Sequence, residues 1–320
     1  MIELHRKAAR LPVTEAPPHS LFSFGTLRDG RVQAALFGRT VPHAPAALAG
    51  HTTRPLRITD PEVIAASGLE VHLALGRRIG CEVEGAVLAL TDRDLTAADD
   101  YEVDDYARRR VLLTSGESAW AYLDARPLRP AERIVIVGDS IAYGRCDAGG
   151  GWAGRLAATH IAADEVEHRV FNLAVPGSTL REVSEQTPAL LGARLPDTLV
   201  VAAGINDTAH GGDDGAWLDG LGQSLGSLAA TALECGARLV VLGPTWLEEE
   251  RARAYDGLSF TEAKALALRA ALRAWCSARH VDFVDLWEPL QGRPDLLADG
   301  LHPTAEGHQA VFEHLMATAS

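Results

Sequence analysis

Arg133-Ile134-Val135-Ile136-Val137-Gly138-Asp139-Ser140 decides the fold. Four consecutive aliphatic residues without polar alternation read as a strand covered on both faces, as in a parallel sheet between two helical layers. The Gly-Asp-Ser that follows ends the strand in a tight turn. It sets a serine hydroxyl at the strand's carboxyl end, where open α/β sheets place their ligands. The same pattern recurs downstream. Val170–Ala174, Leu199–Ala203, Leu239–Leu242 and Val281–Leu286 are short apolar runs. They lead into helical periods over Leu180–Leu191, Ala216–Cys235, Thr261–Arg279 and the stretch after Pro303. With a helix near Gly151–Ala163 after the first run, this predicts an α/β unit over residues 132–320, three layers deep with about five parallel strands.

Three further stretches sit where a strand pattern gives way to turn residues or just before a helix, and are expected to converge at the carboxyl edge of that sheet: Gly177 in Val175-Pro176-Gly177-Ser178, Gly204-Ile205-Asn206-Asp207, and Asp299-Gly300-Leu301-His302-Pro303. A serine is inert at neutral pH unless a base takes its proton. His302 is the candidate base, and Asp299 three residues earlier can fix the ring tautomer and stabilise the imidazolium. Asn206 can aim a side-chain amide, and Gly177 a backbone N–H, at a developing oxyanion; one such donor is worth about 3–4 kcal/mol of barrier.

These blocks, in this order, resemble the SGNH (GDSL-type) serine hydrolase family. The resemblance implies a flavodoxin-like α/β/α domain and assigns Ser140 as nucleophile and first oxyanion donor, Gly177 and Asn206 as the other donors, and Asp299 and His302 as the remaining triad members. The second block departs from the family pattern, with Val175-Pro176 where small polar residues are usual. The implied activity is hydrolysis of an acyl ester by two-step acyl transfer, without metal or organic cofactor. An acyltransferase is the alternative on the same site, should an alcohol or amine outcompete water.

Upstream the pattern changes. Leu21–Phe24, Glu84–Leu90, Arg109–Leu113 and Ala119–Leu123 are short and β-like, with one acidic helical stretch over Thr91–Tyr106. Residues 1–19 hold three prolines and little periodicity and read as an N-terminal arm; Ala125-Arg126-Pro127-Leu128-Arg129-Pro130 reads as a linker over 125–131. Within residues 20–124, Phe24-Gly25-Thr26-Leu27 and Asp100-Tyr101-Glu102 before Tyr106 and Arg108–Arg110 resemble the γ-glutamylcyclotransferase/AIG2-like family. This implies an α+β fold with a β-barrel, a substrate-cradling loop at Phe24, Gly25, Thr26 and Leu27, and Glu102 as catalytic acid and base. Phe24 stands where tyrosine is usual. The chain could then be bifunctional, also cyclising γ-glutamyl amides to 5-oxoproline, or this region could be a non-catalytic binding or dimerisation module.

Composition bounds the partners. Residues 1–130 carry 16 basic and 17 acidic side chains, whereas residues 131–320 carry 14 and 26. Such an acidic second half argues against nucleic acid or anionic membranes as partners, leaving a small-molecule ester and an oligomeric state that the sequence does not specify. No apolar run approaches the ~20 residues of a spanning helix, and the N-terminus lacks the apolar core of a secretion signal, so a cytoplasmic location is expected. The four cysteines, Cys81, Cys146, Cys235 and Cys276, form no Cys-x-x-Cys pair, which predicts buried or partly buried free thiols in a reducing compartment and no zinc site. Cys146 falls close to the expected pocket. Trp246, Tyr255, Phe260, Arg145 and Trp152 are candidates to line it, with ordinary packing as the competing role.

Overall fold

The computed structural model describes residues 19–57, 71–210, 216–253 and 257–320. Apart from His19, the expected arm lies outside the described residues. The first sheet contains β1 (His19–Ser23), β2 (His43–Arg57), β3 (Val71–Leu90), β4 (Tyr106–Leu112) and β5 (Ser118–Asp124), with helices α1 (Gly30–Phe37) and α2 (Asp92–Tyr101) between strands. Its order is β2-β3-β1-β5-β4. β1 runs antiparallel to β3 and parallel to β5, so the sheet is mixed. Its outer strands meet through a Leu48–Leu113 bridge and a Thr114 N–H donated to Ala47 O at 3.0 Å, which curls the sheet toward a barrel.

The second sheet contains β6 (Arg133–Gly138), β7 (Arg169–Asn172), β8 (Thr198–Ala202), β9 (Arg238–Leu242) and β10 (Asp282–Val284), in the order β10-β9-β8-β6-β7. All of its pairings are parallel. Its helices are α3 (Ser140–Tyr143), α4 (Gly151–Ala163), α5 (Leu180–Leu191), α6 (Ile205–His210), α7 (Ala216–Glu234), α8 (Glu249–Ala252), α9 (Glu262–Arg279) and α10 (Ala305–Ala319). Alternate side chains of a strand face opposite layers, and both layers are apolar and buried. Ile134, Ile136, Val200 and Val240 pack with Trp152, Leu156, Val311 and Leu315 of α4 and α10. Val135, Val137, Leu199 and Val201 pack on the other face with Leu180, Leu225, Leu228 and Leu268 of α5, α7 and α9. Each fully buried aliphatic side chain contributes about 1.5–3 kcal/mol. That explains the absence of polar alternation in β6, β8 and β9.

The parallel strands and their helices fall where the apolar runs predict them. The first region differs more. α1 was not anticipated, and it forms because Asp29 accepts Arg31 N–H at 2.7 Å as its N-cap. β2 and β3 run for 15 and 20 residues, far longer than the short patterns suggest, because prolines and glycines interrupt their alternation. The helix expected over Thr91–Tyr106 stops at Tyr101, and Tyr106 already opens β4.

The two sheets are clamped together by the buried Arg77 and Arg238 and the half-buried Arg109. Arg77 of β3 donates to the carbonyls of Asp197 and Gly236 at 2.7 and 2.6 Å. Arg109 of β4 and Arg238 of β9 share the Asp282 carboxylate, and Arg238 also donates to Asp124 O at 2.7 Å. The stretch read as a linker is packed: Leu128 is buried among the α/β core residues and donates its N–H to Ala319 O at 2.8 Å.

Candidate active site

β6 delivers Ser140 to the carboxyl edge as the first residue of α3. Asp139 is the N-cap of that helix and accepts Ile141 N–H at 3.0 Å. Ser140 is buried, and its Oγ lies 2.8 Å from His302 Nε2. His302 Nδ1 lies 2.8 Å from Asp299 Oδ2. An ionised carboxylate can only accept, so Nδ1 carries the ring proton and Nε2 is left to accept the serine O–H. Asp299 Oδ1 takes the backbone N–H groups of His302 and Leu301 at 2.8 and 3.0 Å, which fixes the carboxylate as well as the ring.

The loop from Asp299 to His302 is pinned on its other side. Gly300 has φ +91, and a Cβ there would sit 2.7 Å from Arg251 Cβ; its carbonyl accepts Glu248 N–H at 2.8 Å. Ala298 N–H closes the loop on His302 O at 2.8 Å. Thr304 then caps α10 by accepting Gly307 N–H.

The four sequence blocks meet by hydrogen bonds. Val175 N–H donates to Gly138 O at 2.9 Å, and Asp139 N–H donates to Ala202 O at 3.2 Å. Asn206, in the first turn of α6, donates Nδ2–H to Ser178 O at 2.9 Å. Its neighbour Asp207 accepts Leu180 N–H at 2.8 Å. Gly177 occupies an exposed turn after β7 with φ +84. Asn206 is buried.

Electrostatics separate these groups. Burial pushes His302 below its ordinary value, against the opposing pull of Asp299. Burial works to raise Asp299, but hydrogen bonds from the His302 backbone and ring and from Leu301 hold it below the usual carboxylate range. Asp139, buried with Asp207 nearby, is pushed up to about 7. The Cys146 sulfur lies within 4.8 Å of ligand atoms of both Asp299 and His302. Burial, and then the Asp299 charge, raise the Cys146 thiol; contrary to the expectation of buried thiols, Cys81, Cys146 and Cys235 are exposed and Cys276 alone among the four is buried.

Among the other pocket candidates, Trp152 and Phe260 are buried in the core, and Trp246 packs against the same cluster. Arg145 is exposed, and Tyr255 lies outside the described residues. His308 was missed. It is buried, accepts Trp152 N–H at Nδ1 (3.3 Å) and donates from Nε2 to Arg145 O (3.1 Å). It thereby holds the loop after the serine against α4. The Gly149-Gly150-Gly151 run looks in sequence like a flexible stretch before a helix, but it is packed. A Cβ on Gly151 would meet His308 Cε1 at 2.9 Å, and one on Gly144 would meet Gly151 N at 2.5 Å.

In the first sheet, Glu102 is the C-cap of α2, and burial pushes its carboxyl up to about 7. The Phe24–Leu27 segment follows β1, and Thr26 Oγ1 lies 3.4 Å from the hydroxyl of Tyr101, the residue before Glu102. Leu27 is buried, Gly25 and Thr26 are exposed, and Phe24 packs against the β-sheet core. Tyr106 is raised to about 12 by burial and then by the Glu102 charge.

Residues 21–139 match the family model for γ-glutamyl cyclotransferase, AIG2-like. Residues 136–310 match the model of the GDSL-like Lipase/Acylhydrolase family. Similar solved structures include LAE5, an alpha/beta hydrolase enzyme from the metagenome of Lake Arreo, Spain (23% identity, 59% of this chain and 94% of that one, TM-score 0.47). TesA is 26% identical over 58% of this chain and 96% of that one, with a TM-score of 0.46. Axe2, an acetylxylan esterase from Geobacillus stearothermophilus, is 20% identical over 59% of this chain and 94% of that one, with a TM-score of 0.49. No curated protein matches the chain. The family model spans more than half of the residues, and the chain belongs to the GDSL-like lipase/acylhydrolase family of ester-bond hydrolases.

Proposed function

We propose that the chain hydrolyses small acyl esters by two-step acyl transfer, with Ser140 as nucleophile, His302 as general base and then acid, and Asp299 as the group that orients and stabilises the imidazolium. The observation that carries this reading is the unbroken line of 2.8 Å hydrogen bonds from Ser140 Oγ through the His302 ring to Asp299. As Ser140 Oγ attacks the carbonyl carbon, its proton passes to Nε2 and the C–O π electrons become an oxyanion. The N–H groups of Ser140 and Gly177 and the Asn206 amide receive it. One Asn206 hydrogen is spent on Ser178 O, which fixes the amide plane; the other is the oxyanion donor. The leaving alcohol takes the proton from Nε2, and water repeats the sequence to free the acid and Ser140.

Ser140→Ala tests this directly. It is expected to remove p-nitrophenyl acetate and butyrate cleavage and labelling by a fluorophosphonate probe. Unchanged turnover in that variant rejects the assignment.

A second reading concerns the first sheet. A carboxyl held at about 7 is matched to taking a proton from an α-amine and returning one to a leaving amine near neutral pH. We therefore propose that Glu102 also supports cyclisation of γ-glutamyl amides to 5-oxoproline, with Phe24–Leu27 cradling the substrate. Absence of 5-oxoproline across a panel of γ-glutamyl amines would leave the region a non-catalytic module.

A further inference from the structure

A cavity of about 420 Å³ opens between the two sheets, and none of the residues of the two candidate sites lines it. That volume lies within the range of small-ligand pockets, roughly 300–1,000 Å³. β4 and β5 form one wall, and α7, β9 and the end of α9 form the other. The floor is apolar, made by Ala229, Ala230 and Leu233 of α7 with Val281. The rim is cationic: Arg109, Arg110, Arg238, Arg279 and His280 line it, and no Asp or Glu does among the described residues.

Charge balance at this rim is one-sided. Arg109 and Arg238 share a single carboxylate, that of Asp282. Arg110 donates only to Ser118 Oγ at 3.4 Å and otherwise stacks 4.4 Å from the Trp120 ring. Arg279 lies 4.8 Å from the Trp275 ring centroid and makes no ion pair with a described carboxylate. Arg108, stacked 4.6 Å from Trp120, is paired with Asp99, so within a protein of formal net charge −13 Arg110 and Arg279 are the two guanidinium groups of this rim without a described carboxylate. Behind the lining, Arg109 Nε and Trp275 Nε1 are buried and without hydrogen-bond partners among the described residues, which adds to the excess of donors on this side of the cavity. His280 Nε2 already accepts from Arg108 at 3.1 Å, and the remaining polar side-chain groups here are donors, so the group that completes the lining is an acceptor.

We infer that this cavity binds a small organic anion, its carboxylate or other acidic head held by Arg110 and Arg279 and its apolar body laid on Ala229, Ala230, Leu233 and Val281. Neither Ser140 nor Glu102 lines it, and the inference does not depend on the role proposed for either. Because its walls come from both sheets, occupancy braces one against the other.

Two probes cover the aliphatic and aromatic forms of such a ligand: decanoate and 8-anilinonaphthalene-1-sulfonate. Each is titrated into the full-length protein by calorimetry and by NMR of the six tryptophan indole groups. At least one probe is expected to bind saturably and to shift the indole signals of Trp120 and Trp275 selectively. Decanol and acetate, each lacking one half of the ligand, are expected to bind at least tenfold more weakly than decanoate. The R110Q/R279Q double variant, altered at two exposed side chains, is expected to keep its melting temperature and esterase rate while losing tenfold or more in probe affinity. Failure of both probes to bind, unchanged affinity in the double variant, or equal affinity for decanol and decanoate would each overturn the inference.

Discussion

The Ser140 centre and the Glu102 centre prepare a proton-transfer group in opposite ways. His302 is set by partners. A carboxylate holds its Nδ1–H, a serine hydroxyl faces its Nε2, and two backbone N–H groups steady the carboxylate itself. Glu102 is set by its surroundings, with burial as the cause of its raised value. Partner-set groups keep a fixed geometry through the reaction, whereas burial-set groups hold a proton at neutral pH at the cost of being sensitive to water entry. The two proposed centres thus rest on different physical causes for a shifted proton affinity.

The sharpest break between the two centres is His302→Ala. Loss of the base is expected to lower esterase kcat by about 10⁴-fold or more while leaving any 5-oxoproline release unchanged, read as product formed from two substrates in one preparation. Glu102→Gln is the converse. It removes the titrating proton but keeps the shape, and is expected to cut 5-oxoproline release by roughly 10²–10⁴-fold with ester cleavage intact. If both activities fall together in either variant, the two centres are not independent.

A smaller effect concerns pH. His302 lies below its ordinary value, so the ring is unprotonated, and able to act as base, into mildly acidic solution. The acid limb of esterase kcat/KM is expected below about pH 6.5, the unperturbed imidazole value. Asp299→Asn removes the group that pulls the ring upward, so the residual activity of that variant is expected to show its limb at still lower pH. A wild-type limb above pH 7 would contradict the burial that separates His302 from a solvated imidazole.

The smallest expected effect is on stability. Asp139, like Glu102, is raised to about 7 by burial. A carboxyl whose folded value lies above its unfolded one destabilises the fold as pH rises from about 4 through 7. Asp139→Asn keeps an acceptor oxygen for Ile141 N–H and carries no charge. Its melting temperature relative to wild type is expected to rise between pH 5 and pH 8, equivalent to about 1–3 kcal/mol. A constant difference across that range would show that Asp139 does not titrate there.

The α/β half was largely legible in sequence because its strands are buried on both faces. Their positions are forced to be apolar, and the polar residues that interrupt them mark the edge where chemistry occurs. The order of Ser140, Gly177, Asn206 and His302 along the chain therefore maps onto one end of one sheet. The barrel half was less so. β2 and β3 are long, and Pro45, Gly50, Gly76 and Gly85 break their alternation into pieces that resemble separate short strands. His308 escaped notice for a different reason: a buried neutral histidine bonded to two backbone groups looks in sequence like any polar residue on a helix. The cationic cavity was invisible as well, since its arginines come from β4, β9 and the end of α9 and meet only in three dimensions.

The shared carboxylate of Asp282 bears on how such a chain can be recombined. It satisfies one guanidinium from each sheet, and Arg238 reaches across to the carbonyl of Asp124. Swapping either half for a counterpart from another protein would strand a buried charge unless the incoming surface supplied its own matching group. A fusion made by cutting near residue 128 would therefore have to rebuild this seam.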